Sequence, residues 1–195
     1  MTFSRTLLLA LLTALLGTTL LTGSPPALAQ TQVVAAGSEI GFTTRQMGVP
    51  VDGRFLRFAA QVALDPKNPA AGRVNLSIDT TSARFGSAEL DAEIPKAIWL
   101  DTARHPQARF ESTSLKAVGG GRFEVAGRLT IKGATRDVVV PVTLAQQGSN
   151  GTASGTITIR RLDFKVGEGE WTDTSLLAND VIVRFRLQLS GLPPA

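Results

Sequence analysis

The chain contains no cysteine at all and only one histidine, His105. The first absence excludes disulfides, thiol nucleophiles and cysteine–metal sites, and it also excludes a lipid-modified lipoprotein signal. The second makes a transition-metal centre improbable, because one imidazole without thiolates cannot complete a ligand set. A serine triad would have to use His105, and no G-x-S-x-G nucleophile elbow exists: Gly151-Thr152-Ala153-Ser154-Gly155 has the wrong spacing. Gly167-x-Gly169 is followed by neither a helix signal nor a Lys-Ser/Thr pair, so it is not a nucleotide loop. Glu168 and Glu170, two apart in an extended loop, should diverge rather than act as an acid–base couple. Blocks of like charge are missing too. Beyond residue 29 the chain holds 19 basic against 16 acidic residues, scattered, which argues against a nucleic-acid partner. The inventory points away from an enzyme, with no catalytic residue, cofactor or metal expected.

The N-terminus reads as an address. Arg5 is a positive n-region, residues 6–21 form an uncharged apolar run, and Ala27-Leu28-Ala29 before Gln30 is a small-residue cleavage site. We expect cleavage after Ala29, export to the bacterial periplasm, and one soluble domain over residues 30–195.

Beyond residue 30, period-two alternation dominates. Phe123, Val125, Gly127, Leu129 and Ile131 share one strand face, opposed by Arg122, Glu124, Arg128 and Lys132. Val181, Val183, Phe185, Leu187 and Leu189 do the same, as do Val74, Leu76 and Ile78, and Ile157 with Ile159. Strands are expected at about 38–45, 49–64, 72–82, 108–117, 122–132, 136–146, 152–163 and 179–190, each half-buried and antiparallel. Phe55 and Phe58 lie three apart, so both can face inward only if a bulge bends the second strand. Lys132-Gly133-Ala134-Thr135 is read as a type II′ hairpin with Gly133 leading. Pro141 costs its strand a ladder bond and suggests a local edge. Residues 86–100 carry helix formers, with Ser87 as a cap and Pro95 as a stop, and should form a short helix over one end of a barrel.

Eight strands make a barrel that either packs solid or holds one small ligand. Ala108, Gly127, Ala153 and Gly155 fall at inward positions among Phe42, Phe55, Phe58, Phe110, Phe123 and Phe185, which favours a slot lined by rings, with Val125 and Ile157 in the same wall. Glycine in a barrel strand also serves tight coiling, so the filled interior stays open. Arg161 continues the register of Ile157 and Ile159, where it either approaches the interior as a head-group anchor or is turned outward by a bulge, with Asp163 the nearest pairing partner. Trp171, in an acidic Gly-rich loop, either caps the mouth and touches ligand or seals the core, and Trp99 reads as packing. Lys132 and Arg136 read as a solvated turn.

Particular stretches carry a resemblance. Ser38-x-Ile40-x-Phe42 followed by Met47-Gly48-Val49-Pro50-Val51-Asp52-Gly53-x-Phe55-x-x-Phe58 is one. Phe110-Glu111-Ser112-Thr113 after His105-Pro106 is another. The most specific is Gly127-Arg128-Leu129-Thr130-Ile131-Lys132-Gly133-x-Thr135-Arg136-x-Val138, followed later by Arg161-Leu162-Asp163-Phe164-x-Val166-Gly167 and Gly169-Glu170-Trp171. Together they resemble the YceI family of lipocalin-like, polyisoprenoid-binding envelope proteins over nearly the whole chain after residue 30. One position departs: many members carry a histidine where this chain has Gln46. The resemblance implies an all-β, extended eight-stranded antiparallel barrel with a side helix, and an apolar isoprenoid-type ligand, a polyprenyl or quinone tail. A transient contact with a membrane or membrane protein, and a homodimer, are further expectations. The competing expectation is an envelope stress or interaction protein with a filled barrel that acts through a protein partner.

Overall fold

A computed structural model describes residues 31–64 and 67–193; the expected signal segment lies outside these residues. The strands are β1 Thr31–Gln46, β2 Val49–Phe55, β3 Phe58–Ala63, β4 Arg73–Asp79, β5 Ala83–Arg84, β6 Gln107–Gly119, β7 Arg122–Ile131, β8 Ala134–Gln147, β9 Asn150–Arg160 and β10 Asp180–Ser190. The one α-helix among the described residues, α1, is Ala88–Glu93. All pairings are antiparallel. The sheet runs β10-β9-β8-β7-β6-β4-β3-β1 and closes through β1 on β10, which makes an eight-stranded barrel, while β2 and β5 continue β3 and β4 past a kink.

The kink sits between Phe55 and Phe58, where their spacing called for a bend if both were to face inward. Leu56 and Arg57 leave the ladder, and their amides bond the Ser82 carbonyl (3.2 Å) and hydroxyl (3.0 Å) instead. Arg57 Nε then pairs with Asp79 at 2.9 Å. The fourth strand is accordingly broken at Thr80–Ser82 rather than continuous to residue 82.

Two boundaries and one turn differ from expectation for identifiable reasons. β1 starts seven residues early, because a bulge between Val34 and Glu39 hides the alternation. Ser38 repairs the gap: its hydroxyl donates to the Val34 carbonyl (2.6 Å) and accepts from the Gln188 amide (2.8 Å). The β7–β8 hairpin is type I′, not II′, since its central residues are Lys132 and Gly133 with φ of 48° and 75°. β9 ends at Arg160, and Arg161–Phe164 form a 3₁₀ turn.

Pro141 stands where one ladder stops. β8 pairs with β9 only over Val142–Gln147, whereas its pairing with β7 continues through Pro141 to Ala134. The missing donor therefore faces no partner.

The two barrel ends are built differently. At the end carrying the tips 120–121 and 148–149, Leu115, Phe123, Leu144, Leu187, Leu189 and Leu192 are all buried and pack together. The opposite end carries the hairpin 47–48, the segment 80–106 with α1, and the loop 161–179. We call it the loop end.

Candidate functional site

A cavity of about 630 Å³ occupies the barrel interior. Its walls follow from the alternation. β10 contributes Val181, Val183, Phe185, Leu187 and Leu189; β8 contributes Val138, Val140, Val142 and Leu144; β9 contributes Ala153, Ile157 and Ile159. β7 adds Phe123, Val125, Leu129 and Ile131, and β4 adds Val74, Leu76 and Ile78. Of the residues singled out from sequence, Phe42, Phe55, Phe110, Phe123, Val125, Ile157, Arg161, Trp171 and Phe185 all line this cavity. Phe58 does not: it packs against the core at the β2–β3 kink and lines a second pocket, with Arg54 and Arg186, that shares Phe42, Phe55 and Phe185 with the cavity.

The inward glycines do not form the slot themselves. A Cβ on Gly53 would meet the Phe42 ring at 2.3 Å, one on Gly127 the Phe110 ring at 2.6 Å, and one on Gly155 the Phe185 ring at 2.6 Å. Each glycine is a seat on which a ring lies flat against the wall, and the lumen stays open because the rings do not project across it.

The cavity's polar lining residues are Thr44, Gln46, Thr80, Glu89, Glu93, Arg161 and Glu170, with the two tryptophans. All come from the upper ends of strands or from the loop end. Trp99 and Trp171 meet with ring centroids 5.2 Å apart at 47°, so both, not Trp171 alone, wall this end. Phe42 packs edge-on against Phe85 at 5.2 Å just below α1. α1 itself starts at Ser87, whose side chain makes no capping bond; Asp91 instead accepts from the Phe85 amide at 2.6 Å.

Arg161 turns inward and is 3% exposed. Its side chain is a loop anchor. Nε donates to the Ala178 carbonyl at 2.9 Å, and Nη1 to those of Val166 (2.9 Å) and Gly167 (3.0 Å). Nη2 donates to the Leu177 carbonyl at 2.7 Å and to that of Trp171. All five guanidinium donors are therefore spent on backbone, and Asp163 is not a partner. Burial pulls the guanidinium pKa down from its ordinary value. Gly167 is fixed by the same packing: φ is +77°, and a Cβ would stand 2.5 Å from Arg161 Nη1 and 3.0 Å from the Trp99 ring.

Lys132 was the residue misread from sequence. It is not a solvated turn: its side chain is only 6% exposed, and Nζ donates to the Lys165 carbonyl and Glu168 Oε2, both at 2.7 Å. The hairpin thereby clamps the Arg161 loop. The Lys132 hydrogen bond and charge hold the Glu168 carboxyl below its usual range. Only the left-handed conformation forced on the tip, which aims Lys132 at the loop, distinguishes it, and its sequence carries no signal for that.

The YceI-like domain family model matches residues 32–189. The chain belongs to the YceI-like family. Protein YceI of Escherichia coli O157:H7 is 41% identical over 98 residues, 50% of this chain and 51% of that protein. Here the chain spans about half the length of the curated relatives it matches. A UPF0312 protein of Vibrio cholerae is 33% identical over 134 residues, covering 67% of this chain and 71% of that one. Among solved structures, Burkholderia cenocepacia BcnA superposes with a TM-score of 0.78 at 39% identity, over 80% of this chain and 99% of its own. A polyisoprenoid binding domain from Saccharophagus degradans superposes at 0.67 with 16% identity, over 84% of this chain and 99% of its own, a likeness of fold. The family's closed barrel with one short helix is the architecture found here.

Proposed function

We propose that this protein binds and carries an isoprenoid-type lipid, with a polyprenyl or quinone tail, in the bacterial periplasm, and catalyses no reaction. One observation carries the reading: the barrel holds a cavity of about 630 Å³ walled by apolar side chains from all eight strands. That volume lies within the range of about 300–1,000 Å³ usual for ligand cavities. An isoprenoid chain makes no directional demand on such a wall. Its burial contributes roughly 25 cal/mol per Å² of apolar surface, less the cost of ordering a flexible chain. The polyisoprenoid binding named for the Saccharophagus neighbour supports the same cargo class. An open lumen weighs against a filled barrel that acts only through its outer surface. Export through a signal peptide cleaved after Ala29 would place the carrier among envelope lipids. Met47 and Val49, 69% and 63% exposed beside the loop end, are suited to a transient membrane contact during transfer.

The test is native mass spectrometry of the protein purified from its own envelope, followed by solvent extraction and lipid analysis. A stoichiometric isoprenoid or quinone is the expected result. An empty protein that also refuses added polyprenyl lipids overturns the reading. N-terminal sequencing of the same material is expected to start at Gln30.

A further inference from the structure

Basic residues are scattered along the chain, but the sheet gathers several of them on the outside of the barrel around the β1–β2 hairpin. Ile40 and Phe42 point into the cavity, so Gly41 between them faces outward. Its register partners are Arg184 on β10 and Arg54 on β2, and Arg54 in turn stands opposite Arg84 on β5. One rung across the sheet therefore reads Arg184, Gly41, Arg54, Arg84. With strands about 4.8 Å apart, that rung spans roughly 14 Å. Arg186 follows two residues along β10, on the same face. Like charges set opposite one another in a sheet are destabilising, and a bound anion would offset that. A pocket of about 510 Å³ takes in Gly41 and is lined by Arg54, Arg184, Arg186 and the 52% exposed Leu56. A Cβ on Gly41 would meet only the Gly53 carbonyl oxygen, at 3.5 Å, so nothing stands between the two flanking arginines. Glu39 and Asp52 also line the pocket, yet neither forms an ion pair with these arginines among the described residues. Asp52 accepts from the Thr43 hydroxyl, which itself accepts from Arg184 Nη1 at 2.9 Å. Arg54 and Arg186 keep their guanidinium forks free among the described residues.

We propose that this outer face docks on a membrane surface rich in anionic phospholipid, with the arginines receiving lipid phosphates and Leu56 entering the acyl boundary. The inference goes beyond the carrier reading, since it concerns how the barrel meets a bilayer and not what fills the lumen. A free guanidinium fork matches phosphate oxygens in pairs. Each arginine held at an anionic leaflet strengthens adhesion about fivefold. Arg54 and Arg184 can converge on one phosphate across the bare backbone of Gly41. Leu56 supplies apolar surface beside the charges because it leaves the ladder at the kink. Met47 and Val49 extend that apolar surface at the tip of the same hairpin. Cations and exposed apolar side chains on one element are the combination that holds a protein at a lipid interface.

The experiment is co-sedimentation of the purified protein with vesicles of mixed phosphatidylglycerol and phosphatidylcholine, and with vesicles of phosphatidylcholine alone. Binding is expected to the anionic vesicles only, and to weaken as salt is raised. The double variant Arg54→Gln, Arg184→Gln should lower vesicle affinity about 25-fold, and Glu39→Gln should raise it about fivefold. The double variant Arg122→Gln, Arg136→Gln removes the same charge from β7 and β8, outside this face, and should change affinity by about twofold or less. An unfolding midpoint no lower than that of the unmodified protein reports an intact barrel in each variant. Equal losses in the two double variants, or binding that survives Arg54→Gln with Arg184→Gln, overturns the docking face. Calorimetric binding of inorganic phosphate with no binding to vesicles also overturns it, and gives the pocket to a soluble anion. A protein that carries lipid but ignores anionic vesicles refutes this inference alone, whereas an empty protein that binds them refutes the carrier reading alone.

Discussion

The two ends of the barrel are closed by opposite means. At one, Leu115, Phe123, Leu144, Leu187, Leu189 and Leu192 close the lumen by packing. At the other, a single guanidinium gathers the carbonyls of five residues between Val166 and Ala178. Packing is distributed, so each side chain shares the load with its neighbours. The polar hub is concentrated, so one residue determines whether the loop has a shape. The apolar end suits a permanent floor, and the hub suits a rim that must be held open and still be wettable.

The largest effect should come from removing the hub. Arg161→Met leaves several buried carbonyls without donors and is expected to cost about 3–5 kcal/mol. Hydrogen exchange should show residues 166–178 losing protection well before β6–β8 do; uniform loss along the chain would erase the distinction between the ends. Phe123→Ala at the floor is expected to cost about 3–4 kcal/mol, read by denaturant unfolding as a cooperative loss of the whole barrel. Ile157→Ala, in the wall of the lumen, should cost only about 1–2 kcal/mol, because one side of that residue already faces open space. An equal cost at both positions would mean that the interior is packed throughout. Trp171→Ala should change stability by no more than about 1 kcal/mol yet weaken binding of the hydrocarbon tail severalfold in a calorimetric titration.

The smallest effect is set by pH. The Glu168 carboxyl titrates below its usual value because Lys132 stabilises its charged form. That contribution is present above the ordinary glutamate pKa and fades as pH falls through the lowered folded value. Unfolding midpoints recorded from pH 7 down to 3 should therefore drop slightly less in Lys132→Met, already weaker at neutral pH, than in the unmodified protein. Parallel curves would show that the clamp carries no charge-linked stability.

Most of the walls could be read from residue order. Val181 to Leu189 and Phe123 to Ile131 alternate without interruption, and the strands follow them. The spacing of Phe55 and Phe58 called for a bend if both were to face inward, and the bend is there, although Phe58 packs against the core at the kink and does not line the cavity. The start of β1 could not be read, because Ala35-Ala36-Gly37 carries no alternation and the bulge there is repaired by Ser38, a contact 150 residues away in sequence. Arg161 could be read as continuing the inward register or as turned outward, and its role could not be read at all. Its partners are main-chain carbonyls, which every residue possesses and no sequence pattern announces. The same holds for Lys132, one of whose two acceptors is the carbonyl of Lys165.

The halted ladder at Pro141 bears on the size of cargo the barrel admits. Eight uninterrupted ladders would fix the circumference, as hoops fix a cask. Below Pro141 that seam is laced, since β8 and β9 pair through Val142–Gln147. Above it, residues 134–141 of β8 and 156–160 of β9 run side by side without a shared ladder. The β8–β9 seam is therefore closed at the floor and slit towards the rim. Along this seam the wall can part at the rim, where the proposed cargo would enter, while it stays stitched at the floor.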